Sequence, residues 1–255
     1  MLTFSNDIRC FYEDKQSHLW VGTNGAGIYV INRQTGETVE HIQKTLNTKN
    51  SLSLNWIRSI VPDSYGFVWI ATSYGLNRYD PIKRQFVNYY ASPADTGALS
   101  DDLVLAVFED RQRNLWVGTR NGLNLYDRTT NTFRKYFVKD GLAHNTINSI
   151  LQDRDSNLWL ATNFGLSLFD IKSQKFFNYS RAEGLISASF LENAAYYDST
   201  YLYFGSLEGM VYFRPEKVLQ NYQYAPVKIT RIFLYNKEIE IGQKIDGLVI
   251  LPYDI

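Results

Sequence analysis

Apolar and polar residues along this chain fall into short runs, not into the long stripes of amphipathic helices. Within residues 56–90 four segments stand out, WIRSIVPD, FVWIATS, GLNRYD and RQFVNYY, each six to eight residues long. They are apolar throughout or alternate with period two, and Gly, Asp, Ser or Asn bounds them. That is the pattern of β-strands joined by tight turns. The phrase then returns. Trp20, Trp69, Trp116 and Trp159 occupy the same place in it, with Tyr203 in the same frame, at spacings of 49, 47, 43 and 44 residues. Six residues before each Trp stands an acid, Asp14, Asp63, Asp110 and Asp153, while Asp198 stands five before Tyr203. Six residues after comes Gly75, Gly122, Gly165 or Gly209, with Gly27 displaced by one insertion.

Four strands in a repeat of 40 to 50 residues predict a propeller blade, a unit that cannot bury both faces alone. The fold class is all-β, a β-propeller of about five four-stranded blades. WIRSIV is the inner strand near the axis and RQFVNYY the outer edge. The repeated Trp packs between neighbouring blades, where ~200 Å2 of burial at ~25 cal/mol per Å2 contributes roughly 5 kcal/mol gross. The glycine serves the turn between second and third strands, and the Asp caps the turn between first and second.

Composition narrows the function classes. Lys and Arg total 26, as do Asp and Glu, so the formal net charge is zero. That argues against a nucleic-acid binder and against a surface adhering to anionic lipid. Aromatics make up 15% of the residues and Met only 2, which suits β-structure. Cys10 is the single cysteine, so neither an internal disulfide nor a Cys-based metal site forms. No apolar run approaches the length of a membrane span, and MLTFSNDIRC lacks signal-peptide features.

The phrase D-x5-W-[VIL]-[GA]-T-x-x-G-L-x-x-[YF]-D resembles the two-component-regulator propeller repeat, over residues 6–216. After Pro215, YAPVKITRIFLYNKEIEIG resembles the first strands of the triple-tyrosine, immunoglobulin-like domain. The resemblance implies a hybrid two-component system sensor of the Bacteroidetes type. Its division is 1–216, propeller blades, and 217–255, a linker and the start of an incomplete Ig-like domain. It further implies a periplasmic location, an oligosaccharide ligand, further blades and a complete Ig-like domain in the intact receptor, and homodimerisation there. Membrane attachment then comes only through downstream segments. Rings of this family have seven blades, so five are expected to form an arc with two uncovered faces. The alternative is a closed ring in which the N-terminal MLTF supplies the last outer strand.

Enzymatic readings find little support. Sialidase-type Asp boxes place Asp five residues before Trp, not six. There is no G-x-S-x-G elbow, and His18, His41 and His144 fall at unrelated blade positions. Asp101, Asp102 and Glu208 are the acids available for a paired-carboxylate site. Asp153, Asp155 and Asn157 open like a calcium loop, but Leu158 replaces the required Gly, and a β-turn is the better reading. No catalytic residue, metal or cofactor is expected.

Repetition also sorts the ligand-binding candidates. A residue present in every blade serves the fold, as do Asn6, Asn55, Asp102 and Asn145, each eight before the turn Asp. Residues that break the pattern are the functional candidates. Trp56 replaces Asp7, Leu103, Thr146 and Leu191 and offers a ring to stack on a sugar. Five before the turn Asp lie Arg9, Arg58, Leu105, Asn148 and Asn193, a polar row near the axis. Tyr74, Arg120 and Phe164 replace small residues on the second-to-third-strand loops, and His144 precedes the fourth inner strand. The expected ligand-binding set is thus Trp56, Arg58, Tyr74, Arg120, His144, Phe164, Arg9 and Asn148. The rival readings are a transmission scaffold without its own ligand, and a polysaccharide-acting propeller enzyme.

Overall fold

A computed structural model describes residues 7–219 and four short strands between 232 and 249. Nineteen strands build five successive antiparallel sheets. Blade one holds β1 (Ile8–Glu13), β2 (His18–Thr23), β3 (Ile28–Asn32) and β4 (Thr38–Ile42). Blade two holds β5 (Ile57–Pro62), β6 (Val68–Thr72), β7 (Leu76–Asp80) and β8 (Gln85–Tyr89). Blade three holds β9 (Val104–Glu109), β10 (Leu115–Thr119), β11 (Gly122–Asp127) and β12 (Thr132–Tyr136). Blade four holds β13 (Ile147–Gln152), β14 (Leu158–Thr162), β15 (Gly165–Asp170) and β16 (Lys175–Tyr179). In blade five, β17 (Phe190–Tyr197), β18 (Leu202–Ser206) and β19 (Gly209–Phe213) form three strands among the described residues. The all-β propeller is as the repeats predict, and MLTF lies outside the described residues.

Each Trp works between blades. Trp20 meets Tyr79 at 6.0 Å between ring centroids, Trp69 meets Tyr126 at 5.0 Å, Trp116 meets Phe169 at 5.8 Å and Trp159 meets Phe213 at 4.8 Å. The partner is always the aromatic of the next blade's third strand, so the spacing of the repeat is the spacing of these seams. Three buried clusters follow the same seams, between blades one and two, two and three, and three and four.

Among the described residues, blades one and five each leave apolar side chains of such a face exposed. Phe11 sits in the register of Ile60, Val107 and Ile150, which are 6%, 7% and 6% exposed, yet Phe11 is 75% exposed. On blade five, Tyr196, Met210 and Tyr212 are likewise exposed.

The chain divides into two compact units, 1–215 and 216–255. The second contains two strand pairs, β20 (Ile232–Leu234) with β21 (Lys237–Ile239), and β22 (Lys244–Ile245) with β23 (Leu248–Val249). Leu234 pairs with Lys237, so Lys237 belongs to the strand, and residues 235–236 between them lie outside the described residues. The rest of the stretch 227–231 lies outside the described residues.

Candidate functional site

The residues common to all blades are consumed by the fold. In blade three, Asp110 Oδ1 accepts the backbone N–H groups of Gln112 and Asn114 at 2.9 and 2.8 Å, and Oδ2 accepts the indole N–H of Trp116 at 2.9 Å. Asp63 and Asp153 repeat this with Trp69 at 2.8 Å and Trp159 at 2.9 Å, and Asp14 with Trp20 at 3.1 Å. In blade five the Tyr203 hydroxyl donates to Asp198 at 2.8 Å. The six-residue spacing is therefore the reach of one carboxylate from its turn to an indole in the next strand. Asp153 Oδ1 accepts Asp155 and Asn157 N–H at 3.0 and 2.9 Å, the β-turn expected there.

At the opposite end, where each inner strand starts, the second-to-third-strand hairpins meet the connectors from one blade to the next. Gly75 N–H donates to Asp102 O at 2.6 Å, Gly122 N–H to Asn145 O at 2.7 Å and Gly165 N–H to Ala188 O at 2.5 Å. Gly75 and Gly165 have φ of 97° and 91°, the left-handed region. A Cβ on Gly165 would lie 2.1 Å from Tyr179 O. The side chains of Asn55, Asp102 and Asn145 accept from Lys44, Ala91 and Val138 N–H at 2.6, 2.7 and 2.8 Å, closing each connector. Their expected structural role is visible bond by bond, and Asn6 lies outside the described residues.

The candidate ligand residues gather around these hairpins and connectors. Trp56 is 51% exposed, stands just before β5, and bridges to Asn24. Tyr74, 50% exposed, has its ring 5.4 Å from Tyr90, and Phe164 is 60% exposed. Arg120 is exposed and pairs with Asp101 at 3.2 Å. His144 Nδ1 accepts from Thr146 N–H at 2.9 Å. Arg9 pairs with Asp7 at 3.1 Å, in the open.

Arg9, Arg58, Leu105 and Asn148 have a common backbone origin: each is the extra residue of a β-bulge where its inner strand meets the second strand. A bulge re-aims one side chain, and here it does so once per blade. Asn148 is 3% exposed, and its amide donates to Asn163 Oδ1 and Phe190 O, both at 2.8 Å. Arg58 Nε donates to Ser73 Oγ at 2.9 Å, and its Nη1 to Glu192 Oε2 at 2.7 Å.

Glu192 escapes a repeat-based reading. In blade two, three steps from Ile57 to Ile60 face two from Thr72 to Ile70, whereas in blade five, five steps from Phe190 to Ala195 face two from Ser206 to Phe204. The single bulge has become a three-residue excursion, Leu191–Asn193. Leu191, matched by count to Trp56, lies inside this excursion, and Ser189 takes the Trp56 place. The enlargement is masked because the Asp198 turn is one residue shorter. Phe190 to Tyr203 is 13 residues, against 12 from Ile57 to Trp69. Asn193, with φ 51°, donates to Arg58 O at 2.9 Å and Leu105 O at 3.0 Å, tying blade five to blades two and three.

Cavities open both beside this constellation and at the other end of the blades. One of about 420 Å3 separates the 44–53 connector from β8 and includes Tyr90, the neighbour of Tyr74. Another of about 380 Å3 opens at the turn end of β9, β13 and β17, between Phe108, Arg111, Gln152 and Tyr197.

The geometry, five antiparallel blades with an Asp–Trp pair in four and an Asp–Tyr pair in the fifth, defines a repeat propeller. Residues 4–25, 51–74, 98–121 and 141–164 match the two component regulator propeller family. Each matched segment falls on one of blades one to four. It is 32% identical over 242 residues to Histidine kinase P4 of Formosa agariphila, across 90% of this chain and 17% of that protein. It is similar, at 26% identity and TM-score 0.76, to the extracellular domain assigned to the hybrid two component system BT3049 of B. thetaiotaomicron, covering 97% of this chain and 33% of that one. The corresponding domain of BT4673 from B. thetaiotaomicron, at 22% identity and TM-score 0.68 over 82% of this chain and 27% of that one, shares the fold. The chain thus spans about a sixth of the length of the kinase and a third of the solved BT3049 domain.

Proposed function

We propose that this chain belongs to the extracytoplasmic, non-catalytic sensor region of a two-component histidine kinase and detects an oligosaccharide in the periplasm. The observation that carries the reading is the division of labour among repeated positions. The repeated Asp, Trp or Tyr, and Gly are spent on the blades, while the residues that vary, Trp56, Tyr74, Arg120, His144 and Phe164, collect around one end. Half-exposed aromatic rings beside polar groups suit a sugar, whose ring has apolar faces and a hydroxyl rim. The 32% identity with a histidine kinase supports the signalling half of the reading. In the intact receptor, remaining blades, a complete Ig-like domain and a second copy are the partners.

The test is a glycan array, followed by calorimetry, on the intact receptor and on its Trp56→Ala/Arg120→Ala variant. Binding without turnover, weakened at least tenfold in the variant, is the expected result. Cleavage of the glycan would indicate an enzyme. A second reading, a transmission scaffold, is favoured by one observation: Asn148 and Arg58, central in the expected set, already have protein partners. Unchanged glycan affinity in the variant would select it.

A further inference from the structure

We infer that Arg58 is the anion-recognising group of a ligand site at the inner-strand start, and that Glu192 occupies it as an internal substitute for a ligand's acidic group. The ligand class is then an oligosaccharide carrying carboxylate or sulfate. This rests on the sensor reading and specifies its chemistry.

Three observations converge. Arg58 is aimed by a bulge and held by Ser73 Oγ at 2.9 Å through Nε, yet its side chain keeps 20% exposure. Its Nη2 has no protein hydrogen-bond partner among the described residues, so the planar fork retains a donor for a second oxygen. Next, the carboxylate meeting it comes from 134 residues away, on an excursion that only blade five has among the described blades. Glu192 is itself 40% exposed, so its carboxylate can leave the guanidinium for water. A carboxylate from outside can therefore replace it like for like. Finally, two residues with half-exposed rings neighbour the arginine along the backbone. Trp56 is two residues before it, and Tyr74 follows the Ser73 that orients it. Ser73 N–H donates to Trp56 O at 3.1 Å, bringing the two segments side by side. An acidic group on Arg58 thus places its sugar ring near aromatic surface.

Exchange at Arg58 also has a consequence for signalling. The excursion is tied to blades two and three by Glu192 and by Asn193, which sits in a left-handed conformation at φ 51°. A ligand that displaces Glu192 removes one of these ties. Ligand and excursion compete for a single guanidinium, so occupancy and the blade-five contact are thermodynamically linked.

The experiment uses the full chain and its Glu192→Gln variant, with folding checked by circular dichroism. Calorimetric titrations use three probes: digalacturonate, inorganic sulfate and neutral lactose. Glu192→Gln is expected to bind digalacturonate or sulfate at least tenfold more tightly than the parent chain, with no gain for lactose. Adding Arg58→Gln is expected to abolish the gain. The anion that responds identifies the acidic group. No gain for either anion, or a gain that survives Arg58→Gln, overturns the inference. A receptor that binds a glycan while neither anion gains from Glu192→Gln retains the sensor reading and loses this one. The expected anion gain, together with an intact kinase silent to every glycan, sinks the sensor reading instead.

Discussion

At the residue scale, one carboxylate per blade accepts backbone N–H groups of its own turn and an aromatic donor of the next strand. Asp110→Ala orphans two backbone N–H groups and the buried indole N–H of Trp116. At ~1–3 kcal/mol per unsatisfied buried donor, a loss of about 3–5 kcal/mol is expected from urea unfolding. The same bonds set a pH dependence. Burial pushes the Asp14 pKa up, but bonds from His18 N–H, the Trp20 indole and Gln16 N–H outweigh it, leaving the group below its usual 3.8. Asp198 is lowered as well, first by Tyr201 N–H and then by Thr200 N–H. A depressed folded pKa gives stability that is complete above the unfolded value and lost as pH falls through the folded one. The urea midpoint is therefore expected to stay level from about pH 7 to 5 and to drop below about pH 4. Cys10 behaves oppositely: burial raises its thiol to about 12, against a smaller lowering from Gly22 N–H. Native protein at about pH 8 should leave Cys10 unmodified by iodoacetamide, and urea should make it react. Fast labelling of the folded chain would contradict that burial.

At the element scale, the β17 excursion is the departure from an otherwise uniform blade. Asn193 holds it by two bonds to Arg58 O and Leu105 O, and its backbone sits where a non-glycine residue is strained. Asn193→Ala removes both bonds and keeps the strain. The expected cost is about 1–2 kcal/mol, with faster amide exchange confined to 190–195. Exchange rising equally in all five blades would show that the excursion is part of the common core. Gly165→Ala tests the hairpin geometry, because a Cβ there meets Tyr179 O at 2.1 Å with φ at 91°. A loss above about 2 kcal/mol is expected.

At the scale of the whole molecule, the seams between blades are complementary and the two end faces are not. Phe11 and Ile8 on blade one, and Tyr196, Met210 and Tyr212 on blade five, present to water the kind of surface that inner seams bury. Contiguous apolar surface of this sort favours association. Sedimentation of the chain is expected to show concentration-dependent self-association, and Phe11→Glu to weaken it. A strictly monomeric chain at high concentration would show that these faces tolerate water.

Strand number, blade boundaries and the Asp, Trp and Gly roles were all legible in the chain, because each depends on residues close in sequence. A strand alternates every two residues, a turn needs its glycine within a few positions, and an Asp caps the turn it begins. Even there the tertiary structure added meaning: the Asp cap was expected, whereas its bond to the indole six residues on appears only once two strands pair. The blade-five excursion was hidden because a turn one residue shorter cancelled half of its added length. Arg58 and Glu192 meet across 134 residues, and no local pattern encodes that pairing. Spacing along the chain determined the architecture. Which polar side chains neutralise one another at the inner-strand start was decided only by closure of the blades around them, which sets distant charges within bonding distance.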